Sequence, residues 1–172
     1  MKKIFLLLVL AIAFAGNAVA QKFALIDMEY IMNNVPAYER ANEQLNQISK
    51  KWQAEVEAFD NEAKTLYRNY QNESVFLSEA QKKEREESIV AKEKEAAELK
   101  KKYFGPEGEL FKKRTALLEP IQEEVYNAVK GIAQAKGFQL ILDRASEGAG
   151  IIFASPAIDI SNEVLSKLGY SK

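Results

Sequence analysis

The chain has 172 residues, of which 47% are hydrophobic and 28% are charged, and its formal net charge is −1. This length fits one domain, and the near-neutral charge argues against a general nucleic-acid-binding protein, which needs an excess of basic residues. The sequence contains no cysteine and no histidine, which excludes disulfides, thiolate zinc sites and the commonest general base. With no Gly-rich phosphate loop either, we expect a protein that is not an enzyme and has no catalytic residue, bound metal or cofactor.

The first 20 residues have the anatomy of a secretion signal. A basic start precedes the apolar stretch 4–14, which is too short to span a bilayer, and Ala18 and Ala20 fit the small-residue positions of a cleavage site. The alternative is an uncleaved N-terminal anchor. We expect residues 1–20 to be a cleaved Sec-type signal peptide and the rest to be a soluble periplasmic chain.

Short apolar runs near both ends of the exported chain predict a small β body made of residues 21–35 and 137–172. Phe23–Asp27 and Phe138–Asp143 are interpreted as strands, and Ile151–Ala154 as a third strand in an antiparallel hairpin with the second. A short helix capped by Asp159 or Ser161 follows. Three short strands cannot hide their apolar faces, so we expect several copies to share one core. The residues expected in that oligomer core are Phe23, Leu25, Phe138, Leu140, Leu142, Ile151 and Phe153.

Residues 36–136 are predicted to form a long helical hairpin. On the outgoing helix, two lines of residues repeat every seven positions, as in a coiled coil. The first line is Tyr38, Leu45, Trp52, Phe59 and Leu66, and the second is Asn42, Ser49, Val56, Ala63 and Tyr70. The pattern stops at Asn72, and Ser78 with Gln81 forms a capping box that begins the return helix. Because the link is short, the two helices are expected to be antiparallel.

One apolar line runs along the whole return helix at seven-residue spacing: Val90, Ala97, Phe104, Phe111, Leu118, Val125 and Ile132. Directly beside it lie further apolar residues at the same spacing: Ile89, Ala96, Tyr103, Leu110 and Leu117. A coiled coil also needs a second apolar line offset by three or four residues from the first. In the return helix that second line is charged in the outer half, at Glu86, Glu93, Lys100, Glu107 and Arg114, and apolar from Ile121 onward. This pattern predicts an outer half that is weakly packed and opens before the root. Gly105, Pro106 and Pro120 are interpreted as hinges that kink one continuous helix, because the apolar line keeps its phase across them.

The order of these elements resembles the Skp/OmpH family of periplasmic chaperones. The resemblance is carried by the strand Phe23–Met28, the charged hairpin, the strand Phe138–Asp143 and the tail Ile158–Leu165. It implies a mainly α homotrimer, in which antiparallel coiled-coil hairpins project around a cavity from a short-stranded sheet completed by trimerisation. The implied function is that of an ATP-independent holdase that keeps unfolded outer-membrane proteins from aggregating. The alternative is a structural coiled-coil spacer or scaffold of the cell envelope.

The resemblance also indicates which residues contact ligands. Aromatic residues in the outer half of the hairpin can face a client or pack between the helices, and Trp52 and Phe59 are interpreted as packing residues. The expected client contacts are Tyr67, Tyr70, Phe76, Leu77, Tyr103 and Phe104. In the family, basic residues near the tip imply contact with lipopolysaccharide or the membrane surface, and here these are Lys82, Lys83 and Arg85. The charged run 79–102 is otherwise interpreted as a solvated helix face. Asp27, Asp143 and Asp159 are assigned structural roles at the ends of elements.

Overall fold

A computed structural model describes residues 22–146 and 148–170 of the chain. This part is mostly helical, with one long helical hairpin and a small sheet, as predicted. The predicted signal peptide lies outside the described residues. Among the helices that are described, none combines the length and apolar character needed to cross a bilayer. By their contacts the described residues form two units, one up to Ile31 and from Val125 onward, the other Met32–Glu124.

The sheet has two parallel strands, β1 (Phe23–Ile26) and β2 (Leu140–Asp143), with Phe23 opposite Leu140. Two short helices accompany them, α1 (Met28–Asn33) after β1 and α5 (Ser161–Lys167) near the C-terminus. The predicted third strand at Ile151–Ala154 is wrong, and so is its antiparallel hairpin with β2.

The physical reason is that an apolar run is stable as a strand only where a surface covers its side chains, and a free edge alone, such as the second edge of β2 among the described strands, is not enough. The outer edge of β1 is already taken, because Leu25 forms a bridge with Asp159 and its carbonyl accepts a hydrogen bond from Ile160 N (2.9 Å). Ile152 and Phe153 are 101% and 85% exposed, so nothing among the described residues covers them.

The three aspartates hold the ends of these elements together, as predicted. Asp27 accepts a hydrogen bond from a backbone N–H of α1 (2.8 Å), and Asp143 accepts one from Met28 N (3.0 Å). Asp159 accepts the N–H of Ser161, the first residue of α5 (2.8 Å), but the N-cap position is Ile160, so the predicted cap by Asp159 or Ser161 is wrong by one position. The Arg144 guanidinium joins Asp27 (3.0 Å) to Asp159 (3.2 Å), so these carboxylates are engaged in structure.

The hairpin consists of α2 (Pro36–Glu73), a 3₁₀ turn (Ser74–Phe76) and the return helix α3 (Glu79–Phe104). The capping box is confirmed, since Ser78 accepts a hydrogen bond from Gln81 N (3.4 Å) and its own N–H donates to Gln81 Oε1 (2.9 Å). The predicted heptads of α2 are confirmed as well. The residues of α2 that are buried are Ala41, Leu45, Val56 and Ala63, and α3 packs closely along α2.

The return path is interrupted at Gly105–Gly108 and continues as α4 (Glu109–Lys136), so the prediction of one kinked helix is wrong at this point. Pro106 has no N–H to donate, and Gly105 takes an extended ψ of 167° that ends α3. The break is tight: a Cβ on Gly105 would lie 2.5 Å from Lys101 O. Pro120, by contrast, lies inside α4, which runs on through it.

The buried positions shift by one residue across this break. In α3 the buried residues are Ile89, Ala96 and Tyr103, whereas the predicted Val90 and Ala97 are exposed. In α4 the buried residues follow the predicted phase, at Ile121, Val125, Ala128 and Ile132. The prediction that one apolar line keeps its phase along the whole return helix is therefore wrong, because the four-residue loop 105–108 shifts the buried positions by one residue.

The buried positions of α3 also change which residues lie in the outer half of the helix contact, where a charged line was predicted. In α3 the second line of contact residues, next to Ile89 and Ala96, consists of Lys92 and Leu99, which are both half-buried. Glu93 and Lys100 are exposed and lie beside the contact between the helices. The outer half is thus better packed than the charged line suggested, and its early opening stays a prediction.

Candidate binding surfaces

The tip of the hairpin exposes large apolar side chains. Val75 and Phe76, in the 3₁₀ turn, are 80% and 87% exposed, and Leu77 beside them is half-buried. Nothing in the described part of the chain covers Val75 and Phe76. The tip therefore presents exposed apolar surface of the kind that marks an interaction site. The expected client contacts include Phe76 and Leu77 but not Val75.

The three cations predicted to act near the tip are each paired with a glutamate. Lys82 lies 2.7 Å from Glu79, while Lys83 lies 3.9 Å from Glu87 and Arg85 3.8 Å from Glu73. Such exposed pairs add little stability, but they reduce the positive potential that attracts a phosphate group. The geometry at these three residues therefore offers weak support for a lipopolysaccharide site.

Tyr103 is a packing residue between the helices. Its ring stacks on Trp52 with centroids 4.6 Å apart, and its hydroxyl donates to Glu55 (3.0 Å). Burial, and then the hydrogen bond to Glu55, raise the pKa of Tyr103 above its usual value. The structure shows Trp52 as a packing residue and gives Tyr103 a packing role as well, while client contact at Tyr103 stays a prediction.

The other aromatic residues differ in exposure. Tyr67 is 51% exposed, Phe104 is half-buried, and Tyr70 is half-buried with its hydroxyl donating to Glu86. That hydrogen bond, with burial, raises the pKa of Tyr70. Sequence reasoning missed three exposed residues on the return helices: Val90, Phe111 and Tyr126. The first two were assigned to the buried line.

The two long sides of the α2–α3 pair differ in chemistry. On one side, Lys92 pairs with Glu62 (3.1 Å) and Glu95 (2.9 Å), and its ammonium lies 4.9 Å from the centre of the Phe59 ring. On the other side, two open clefts of about 230 and 480 Å³ lie end to end and share Asp60. The first reaches Tyr67 and the second reaches Phe104.

The sheet exposes apolar residues along one face. By strand alternation Phe23, Leu140 and Leu142 point to the same side, and they are 55%, 53% and 42% exposed. Within the described residues, no strand pairs with the second edge of β2. Of the other residues expected in an oligomer core, Leu25 is buried within the chain, Phe138 and Ile151 are half-buried, and Phe153 is exposed.

No constellation for chemistry is found in the part of the chain that the structure describes. Its Asp and Glu residues form no group that could hold a metal ion. Each buried side-chain nitrogen or oxygen among these residues has a hydrogen-bond partner. What the described surface offers is exposed apolar side chains among charges.

This arrangement matches a known family. The family model described as "Outer membrane protein (OmpH-like)" matches residues 22–168, nearly the whole chain. The chain belongs to the OmpH-like family. A similar protein is the chaperone protein Skp of Yersinia enterocolitica, 24% identical over 161 residues, which span 92% of this chain and 93% of that protein.

The OmpH-like fold is seen directly in a solved structure. A candidate outer membrane chaperone (OmpH-like) from Caulobacter crescentus superposes with a TM-score of 0.68, covering 88% of this chain and 86% of that one. The sequences are 14% identical, so this likeness concerns the fold. The resemblance first drawn from the strand, hairpin and tail patterns is thereby confirmed.

Proposed function

We propose that the chain is an ATP-independent periplasmic holdase, which binds unfolded outer-membrane proteins between helical hairpins and prevents their aggregation. The observation that carries the proposal is the exposure of Val75 and Phe76 at the tip of a hairpin whose interior is otherwise well packed. A holdase needs weak apolar contacts that many sequences can satisfy, and exposed side chains on a charged scaffold supply them. Membership of the OmpH-like family and the similarity to a Skp chaperone support a chaperone role.

The proposal includes a homotrimer built on the sheet, with residues 21–35 and 137–172 as the body and 36–136 as the arm. A two-stranded parallel sheet is marginal alone, and parallel strands are normally covered on both faces. Here Phe23, Leu140 and Leu142 are uncovered and one edge of β2 is open. The exposed Ile152–Phe153 segment lies in the chain after β2 and offers apolar side chains for such a core.

Contact with lipopolysaccharide or a membrane surface through Lys82, Lys83 and Arg85 would have to compete with the glutamate partner that each of these cations already has. It stays a prediction. A binding measurement with purified lipopolysaccharide at two salt concentrations tests it, because a contact made by these cations weakens as salt rises.

The holdase proposal is tested by diluting a urea-denatured porin into buffer with and without the purified chain, in the absence of ATP. We expect a small molar excess of the chain to suppress the turbidity of the porin. A coiled-coil spacer, the alternative function, would leave the turbidity unchanged. Size-exclusion chromatography with light scattering tests the trimer separately, and a monomer at micromolar concentration would contradict it.

A further inference from the structure

Among the residues that the structure describes, the long side of the α2–α3 pair that carries the two clefts has charged side chains without an ion-pair partner, whereas Lys92 and its glutamates are paired on the opposite side. We call it the groove face, lined by Val56, Asp60, Tyr67, Glu93, Lys100 and Phe104. On the opposite side, Glu62 and Glu95 are bound to Lys92, and Glu55 accepts the Tyr103 hydroxyl. Within the described part of the chain, none of Asp60, Glu93 and Lys100 forms an ion pair.

Apolar side chains stand at intervals along the same face. Val90, Ala97 and Phe104 follow at seven-residue spacing on α3, so they lie on one side of the helix about 10.5 Å apart. Val90 is 61% exposed and Phe104 is half-buried. Across the cleft, α2 contributes Tyr67, which is 51% exposed. The groove face thus alternates apolar contact points with unpaired charges of both signs.

We propose that the groove face is the surface on which the arm holds an unfolded polypeptide segment, an inference that rests on the proposed holdase function. A folded partner needs a contiguous apolar core from which charges are depleted, and this face has none. Separated apolar points accept occasional aliphatic or aromatic side chains of an unfolded chain. Carboxylates and ammonium groups between them can bond the N–H and C=O groups that such a chain leaves unpaired.

The assignment divides the expected client contacts. Tyr67 and Phe104 lie on the groove face and Val90 joins them, whereas Tyr103 is enclosed between the helices. On the opposite side, Lys92 is held by two glutamates, so these three charged groups are already paired with one another.

A photo-cross-linking experiment tests the assignment. Benzoylphenylalanine is placed at Tyr67 or Val90 on the groove face, and at the exposed Ala58 or Ala91 on the opposite side as matched controls. Each variant is mixed with a urea-denatured porin on dilution and irradiated. We expect the groove-face positions to give severalfold more cross-linked porin than the controls. Equal yields, higher yields from Ala58 and Ala91, or cross-links between two copies of this chain in place of porin would overturn the inference.

Charge insertion provides a second measurement. The double variant Tyr67→Glu with Val90→Glu is compared with Ala58→Glu with Ala91→Glu, after circular dichroism has shown that both keep their helix content. We expect about tenfold weaker porin binding for the first and less than about twofold for the second. Equal effects would overturn the inference. If the unaltered chain fails to keep porin soluble, the proposed function itself fails; if it protects but the two faces behave alike, only the groove assignment fails.

Discussion

The loop that interrupts the return helix requires a glycine at position 108, and replacing it tests the geometry directly. A Cβ added to Gly108 would lie 2.8 Å from Tyr103 O and 2.9 Å from both Lys102 O and Gly105 N. All three are backbone atoms, so the loop itself must move. Overpacking of this kind costs about 1–3 kcal/mol, and we expect Gly108→Ala to be destabilised by that amount.

Gly131 in α4 provides a control with the opposite sign. A Cβ there meets only Cε and Nζ of Lys167, at 2.9 Å, and this flexible side-chain end can move aside. Because glycine inside a helix costs about 0.5–1 kcal/mol relative to alanine, Gly131→Ala is expected to be stabilised by up to that amount. The free energies of unfolding are measured in urea by circular dichroism at one fixed protein concentration, since association shifts apparent stability. A Gly108→Ala variant as stable as the unaltered chain would refute the reasoning.

Three further predictions concern the arm and the sheet. Gly105→Ala with Pro106→Ala should favour a continuous, stiffer helix, because alanine can continue a helix where proline cannot. We expect the stiffer arm to keep a narrower range of denatured porins soluble, and an unchanged range would count against a hinge at this loop. Because the pKa of Tyr103 is raised in the folded state, its stabilising effect is fully present below pH 10.0 and is lost as the pH rises through the folded-state value. Urea midpoints at about pH 9 and about pH 11 should therefore fall less for Tyr103→Phe than for the unaltered chain, and equal falls would contradict this. Leu140→Asp puts a charge on the exposed sheet face and should give monomers by light scattering, whereas the exposed-loop control Ser146→Asp should not; a Leu140→Asp trimer would remove that face from the interface.

The helical hairpin could be predicted because its periodicity is strong and its caps are local. The α2 heptads and the Ser78–Gln81 capping box depend on residues close in sequence. The phase of α3 was missed for a specific reason. Ile89 and Val90 begin two adjacent apolar lines of equal spacing, and sequence alone does not tell which one faces α2. The choice depends on the register added by the loop 105–108, which is a property of the folded backbone.

The sheet shows the complementary limit of sequence reasoning. Both real strands were predicted, and the structural roles of the aspartates followed from their positions at element ends. The apolar run at Ile151–Ala154 has strand composition, yet a strand also needs a surface that covers its side chains, and Ile152 and Phe153 find none among the described residues. The candidate binding surface was found only in part, since exposure distinguishes Tyr67 from Tyr103 and composition does not.

The holdase function is tested most directly by diluting a urea-denatured porin into buffer without nucleotide and measuring its turbidity as the concentration of the chain is raised. The account predicts that turbidity falls in proportion to added chain and vanishes at a small molar excess. It predicts the same result when ATP is added. Turbidity that is unaffected at every ratio, while the chain itself is folded and soluble, would contradict it.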